Sequence, residues 1–168
     1  MRPGSMHVIL FAAALCLAGL ALCLPALAHK TPDYAFDLDD MLSGENYTLD
    51  GITDGKPAVV LVWAVNCPHC MRHMPYVAAL YKKLDTKKVN FVSISMGDKQ
   101  DDAKKYAEEK ELAFPVLDGS VGEISSCYEE EGWPATYVFF AGGKLKGLCV
   151  STGAAYIRDV QELVDEAQ

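Results

Sequence analysis

The sequence predicts one α/β domain built around a mixed β-sheet, and three observations predict it. The chain has 168 residues, 51% hydrophobic and 23% charged, which supplies one core and leaves too little for a second. A Val-rich run over 58–65, bounded by Lys56-Pro57 and Asn66, reads as a strand covered on both faces, as at the centre of a sheet. Beyond it, strand-like and helix-like periodicities alternate in the order β-α-β-α-(α)-β-β-α, with no repeat or linker among them.

At the start of the chain Arg2 precedes an apolar run over 8–24, Pro25 breaks it, and Ala26-Leu27-Ala28 places small residues before His29. This is signal-peptide anatomy, so residues 1–28 are expected to be cleaved and 29–168 to form an exported domain, periplasmic or otherwise extracytoplasmic. A membrane is involved only if the segment is retained as an anchor, and its apolar run is short of the roughly 20 residues a span takes. Cys16 and Cys23 each follow a Leu where a lipoprotein signal needs a small residue.

Residues 31–50 are turn-rich, with strand candidates at 34–38 and 47–49. After the strand at 58–65, Met74, Val77, Ala78, Tyr81 and Leu84 recur at helical spacing and run into the basic stretch 82–88, with Pro75 expected to bend the helix. Residues 89–96 alternate as a second strand. A charged helix over 101–111 carries a solvated face, and 114–117 is a short apolar piece. A short helix is expected over 122–131 and a strand over 135–141. Gly142-Gly143 is then a hairpin turn into a strand over 144–151, and 156–167 is a closing helix.

Lys and Arg number 15 against 23 Asp and Glu, a net charge of −8, so no basic surface exists to neutralise a phosphate backbone and nucleic-acid binding is excluded. Removing the leader takes away Arg2 and no acid, and it also removes Cys16 and Cys23. Cys67, Cys70, Cys127 and Cys149 remain, an even count that in an exported chain points to disulfide chemistry.

Cys67-Pro68-His69-Cys70 follows the central strand directly and opens a helix. Free N–H groups and the positive dipole end of that helix favour a Cys67 thiolate, which makes Cys67 the nucleophile. Cys70, one turn further in, is placed to attack a mixed disulfide on Cys67 and is the resolving thiol. Pro68 begins the helix without needing an N–H partner, and His69 can add a donor or a positive charge beside the Cys67 sulfur. Both favour the reduced form and so an oxidising protein. A structural Cys67–Cys70 bridge would close too small a loop to stabilise much. A metal site drawn from Cys67, Cys70, His73 and His69 is the rival, but no second Cys-x-x-Cys completes it. A covalent haem site would need His where Met71 stands.

These residues carry a family resemblance over most of the chain beyond the leader. Thr31-Pro32-Asp33-Tyr34, Gly55-Lys56-Pro57, Trp63-Ala64-Val65-Asn66-Cys67-Pro68-His69-Cys70 with Pro75, Phe114-Pro115-Val116-Leu117-Asp118 and Gly132-Trp133-Pro134-Ala135-Thr136 occur in this order. Together they resemble the thioredoxin superfamily, nearest its exported branch of TlpA, ResA and the cytochrome-c-maturation thioredoxins. The resemblance implies a thioredoxin fold, a central mixed sheet flanked by helices, with an N-terminal β extension of the TlpA type. It implies a cis Pro134 facing Cys67 and a Trp133 backbone that pairs with a bound substrate strand. The Pro68-His69 dipeptide resembles the oxidising DsbA group instead. Asn66 stands where the family usually has Trp, His73 where the branch often has Glu, and Leu61 where thioredoxins have a buried Asp. The missing acids favour thiolates. His73 serves as a base or a positive charge, or is an exposed helix residue without a role.

If Cys67 and Cys70 form the redox pair, Cys127 and Cys149 are left for each other. A bridge between them would close a loop of about 23 residues, worth about 3 kcal/mol. The expectation is a structural disulfide, set against two free buried thiols. The expected activity is that of an exported thiol:disulfide oxidoreductase without a bound cofactor or metal, favoured as oxidising. Its expected partners are protein thiols and disulfides and a membrane redox protein. The alternatives are a reductant for cytochrome c or copper-site maturation, and a copper or zinc chaperone.

Overall fold

The structure is a computed structural model that describes residues 33–97, 99–129 and 132–168. The expected leader over 1–28 with its cleavage point, and Thr31-Pro32, lie outside the described residues. The sheet grows outward from β3 (Ala58–Trp63), all six residues of which are buried. Successive side chains of a strand point to opposite faces. Val59, Leu61 and Trp63 therefore enter one core, and Ala58, Val60 and Val62 the other.

β4 (Asn90–Ser95) lies parallel to β3, and β5 (Val116–Asp118) parallel to β4. β7 (Ala135–Phe139) runs antiparallel on the other side of β3, followed by β8 (Leu145–Cys149), giving the order β5-β4-β3-β7-β8. A second sheet holds β1 (Phe36–Asp39) between β2 (Asn46–Thr48) and β6 (Glu123–Ile124). This is the β extension that the resemblance implied, and the whole is the expected mixed α/β sheet flanked by helices.

Three helices cover one face of the main sheet: α2 (Pro68–Tyr81), α3 (Gln100–Glu109) and α4 (Ala154–Ala167). The other face is covered by β1, by α1 (Leu49–Thr53) and by Tyr128 of the 3₁₀ turn Ser126–Tyr128. Tyr128 packs edge-on against Tyr137 at 5.0 Å and donates its hydroxyl to the Tyr34 carbonyl at 2.8 Å. Among the described residues no helix is long and apolar enough to cross a membrane.

Several elements differ from the local reading. The helix expected over 122–131 is replaced by β6 and the 3₁₀ turn, because Ile124 pairs with Phe36 and Glu123 with Asp37 across the small sheet. Gly122 makes that approach possible: its φ is +84°, and a Cβ there would lie 2.5 Å from the Asp37 carbonyl oxygen. α2 runs on through Pro75 and stops at Tyr81 instead of entering the basic stretch. A tight turn takes over there, in which the Lys83 and Leu84 amides both bond the Leu80 carbonyl and bring Leu84 back into the core. α1 went unread; Thr48 caps it by accepting the Gly51 N–H at 3.0 Å. The apolar piece at 114–117 contributes β5, since Ser93 pairs with Val116.

The Cys127–Cys149 bridge is corrected. Both are free thiols. Cys149 lies opposite Thr136 and belongs to the helix-covered core, where its sulfur is 3.1 Å from the Ser151 hydroxyl. Cys127 precedes Tyr128, and its carbonyl accepts the Tyr137 hydroxyl, both tyrosines belonging to the opposite face. Cys127 does share a short turn with Tyr128, but that turn packs on the face away from Cys149.

Candidate active site

The site forms where β3 ends and α2 begins. β3 is paired with β4 as far as Trp63 and with β7 as far as Val62, and the chain then leaves the sheet through Ala64, Val65 and Asn66. The Cys67 N–H returns to the Ala64 carbonyl at 3.2 Å, which closes that turn. Cys67 is the N-cap of α2, with the extended backbone that an N-cap needs (φ −95°, ψ 109°). Its Sγ accepts the Cys70 N–H at 3.2 Å, where an aspartate or serine oxygen would ordinarily sit. Pro68 occupies the first turn, where no N–H partner exists to be lost.

The two sulfurs occupy different surroundings. Cys67 is half-buried, whereas Cys70 has no exposed surface. Burial first, and the hydrogen bond with Cys67 second, push the Cys70 thiol up to about 12. Cys67 Sγ–H also donates to the Trp133 carbonyl at 3.6 Å, which ties α2 to the loop before β7. The Trp133–Pro134 peptide bond is cis. The Trp133 side chain is half-buried and packs against both cores.

The histidines part company. His69 is exposed, and its Nδ1 accepts from Arg72 Nη2 at 3.1 Å. His73 is buried, 3% exposed, which removes the alternative of an exposed helix residue. The reason is α4: the His73 ring stands edge-on to Tyr156, 4.2 Å between centroids, and Tyr76 stacks beside it at 6.4 Å. Tyr156 is anchored by its hydroxyl at 3.1 Å from the Thr136 hydroxyl. Burial lowers the His73 pKa from its ordinary value and keeps the ring neutral, and its Nδ1 has no hydrogen-bond partner. With His69 turned to Arg72 and His73 packed on Tyr156, the four residues of the metal rival do not converge. Among the described residues no group of three His, Cys, Asp or Glu side chains is placed to hold a metal ion.

Leu61, where a buried acid was noted as missing, is fully buried among the helix-side apolar residues. α2 has no acidic residue in its first turn. The arrangement gives one accessible sulfur at a helix N-terminus and one withdrawn sulfur a turn behind it, with an exposed imidazole between them. Sequence reading missed Arg72 and Tyr156. The three-residue spacing of His69 and Arg72 could have revealed the first. The second comes from the far end of the chain and left no local signal.

The AhpC/TSA family model matches residues 27–147. The thiol-disulfide oxidoreductase ResA of Geobacillus thermodenitrificans is 26% identical over 127 residues, 76% of this chain and 71% of that one. Among solved structures, StoA from Bacillus subtilis superposes with a TM-score of 0.64 at 18% identity, covering 79% of this chain and 97% of its own. A secreted Mycobacterium tuberculosis disulfide oxidoreductase homologous to E. coli DsbE gives 0.60 at 22%, covering 78% and 95%. Both structural likenesses concern the fold.

Proposed function

The chain belongs to the AhpC/TSA family, and on that premise we propose that it is an exported thiol:disulfide oxidoreductase whose Cys67–Cys70 disulfide oxidises protein thiols. The observation that carries the direction is the Cys67 sulfur at the N-cap of α2, taking the Cys70 N–H at 3.2 Å with no acid in the first turn. Each of these features stabilises a thiolate and therefore the dithiol form.

The reaction has two exchanges. A partner thiolate attacks Cys67 Sγ of the disulfide, and Cys70 leaves and takes up a proton. A second partner thiolate then attacks the partner sulfur of the mixed disulfide, and Cys67 leaves as a thiolate stabilised by the helix end. The partner loses two electrons and gains a disulfide; the Cys67–Cys70 pair gains two electrons. A membrane redox protein outside the cytoplasm restores the disulfide. Trp133, whose carbonyl meets Cys67 Sγ at 3.6 Å, and the cis Pro134 after it form the substrate-binding segment in this reading, with the Trp133 backbone pairing with the partner chain. Export is supported by the apolar run over 8–24 and the small residues Ala26-Leu27-Ala28 that follow it.

A second reading, in which the same pair reduces partners during cytochrome c or copper-site maturation, is favoured by the ResA relatives. The reduction potential, measured by equilibration with glutathione and trapping of free thiols, decides between them. A value towards about −120 mV supports disulfide donation; a value near about −270 mV makes the protein a reductant.

A further inference from the structure

Arg72 has no part in the exchange outlined above, yet its side chain is committed to one contact. Its Nη2 lies 3.1 Å from His69 Nδ1, one turn back along the exposed side of α2. A guanidinium carries five donors and no acceptor, so the contact has a single polarity: Arg72 donates and His69 Nδ1 accepts. A neutral imidazole whose Nδ1 accepts carries its proton on Nε2. Arg72 thus selects one of the two tautomers open to His69 and leaves a single N–H free on that ring.

The second observation is electrostatic. α2 has no acidic residue in its first turn, and among the described residues no ion pair involves Arg72. A helix side chain leans towards the N-terminus of its helix, so the guanidinium lies over the first turn. There it opposes the positive end of the helix dipole unless an anion caps that end. The cap is Cys67. The charge on Arg72 and ionisation of Cys67 therefore favour each other.

We propose that Arg72 is a positioning residue for the exchange reaction: it fixes His69 as an Nε2–H donor and sets a standing positive charge at the helix end where Cys67 becomes a thiolate. This rests on Cys67 being the attacked and leaving sulfur. The charge stabilises the reduced form, so it strengthens the protein as an oxidant.

The test compares the reduced wild-type protein with Arg72→Met and Arg72→Lys. Nitrogen NMR of the imidazole rings at about pH 8, with His69 assigned through a His69→Gln variant, reads the tautomer. Thiolate absorbance against pH reads Cys67, and equilibration with glutathione reads the redox balance. In the wild type, His69 is expected with its proton on Nε2. In Arg72→Met the ring shifts move towards a tautomer mixture, the thiolate-to-thiol ratio of Cys67 falls about threefold, and the glutathione equilibrium moves by the same factor towards the disulfide. Arg72→Lys keeps the charge and recovers most of the thiolate ratio. Identical ring shifts in wild type and Arg72→Met overturn the proposal, as does an unchanged thiolate ratio. If the wild type exchanges no disulfide with glutathione at all, the function proposed above fails, a result separate from the tautomer reading.

Discussion

Three residues apart in sequence, Cys67 and Cys70 sit in different media: the first faces solvent at a helix end, and the second lies wholly inside the core with its thiol pushed up to about 12. That difference assigns the order of attack. Cys70→Ser, incubated with a small disulfide such as oxidised glutathione, is expected to accumulate a stable mixed disulfide on Cys67 with release of one thiol, seen as a mass increase that dithiothreitol removes, while Cys67→Ser shows none. An equal adduct in both variants would reverse the roles. His73 belongs to the same scale. Burial holds its folded-state pKa below the ordinary value of 6.5, so the unfolded chain binds a proton that the folded one refuses. Stability is then fully present above about pH 6.5 and declines as the pH falls from there towards the folded-state value. Urea midpoints at pH 5 and 7.5 should differ in that direction, and the difference should shrink in His73→Gln. If the variant keeps the whole difference, His73 is not its origin.

At the scale of elements, the site depends on β3 delivering Cys67 to a fixed place. Leu61 is fully buried at the middle of that strand, and Leu61→Ala is expected to cost about 2–5 kcal/mol of unfolding free energy, measured by denaturant titration. The small sheet depends on one glycine. Gly122→Ala meets the Asp37 carbonyl and a φ of +84°, a cost of about 1–3 kcal/mol from the backbone alone, with the contact adding to it. A change of less than ~0.5 kcal/mol would mean that β6 adjusts without loss. Some elements were legible because their signal is local. β3 reads as a continuous apolar run and α4 as an amphipathic helix, and Gly142-Gly143 forms its turn with both residues at positive φ. β6 was not legible, because two residues become a strand only when β1 is beside them.

At the scale of the whole molecule, redox state and stability are linked. If the folded protein favours the dithiol, its disulfide must strain or disfavour the fold, so the reduced form is expected to unfold at higher denaturant than the oxidised one. The gap amounts to about 1.4 kcal/mol for every 30 mV by which the folded pair is more oxidising than the same pair in the unfolded chain. A more stable oxidised form would go with the reductant reading. The chain also carries a net charge of −8, so encounter with a basic partner protein is expected to slow as salt is added.

The sequence by itself determined the α/β class, the central strand and the dithiol at the opening of α2, because each depends on residues close together in the chain. It also carried the order of motifs by which the Trp133-Pro134 segment was matched to Cys67. Only the tertiary structure decided which residues meet from far apart. Cys127 and Cys149 looked like a pair until the structure showed both as free thiols, Cys149 in the helix-covered core and Cys127 in a turn whose Tyr128 packs on the other face. The place of His73 was open until Tyr156 of α4 covered it, and Arg72 went unnoticed until its side chain met His69. The physical reason is common to these cases. Periodicity reports which side of an element is apolar, whereas the partner across that side is set by how the elements stack, and no local pattern records it.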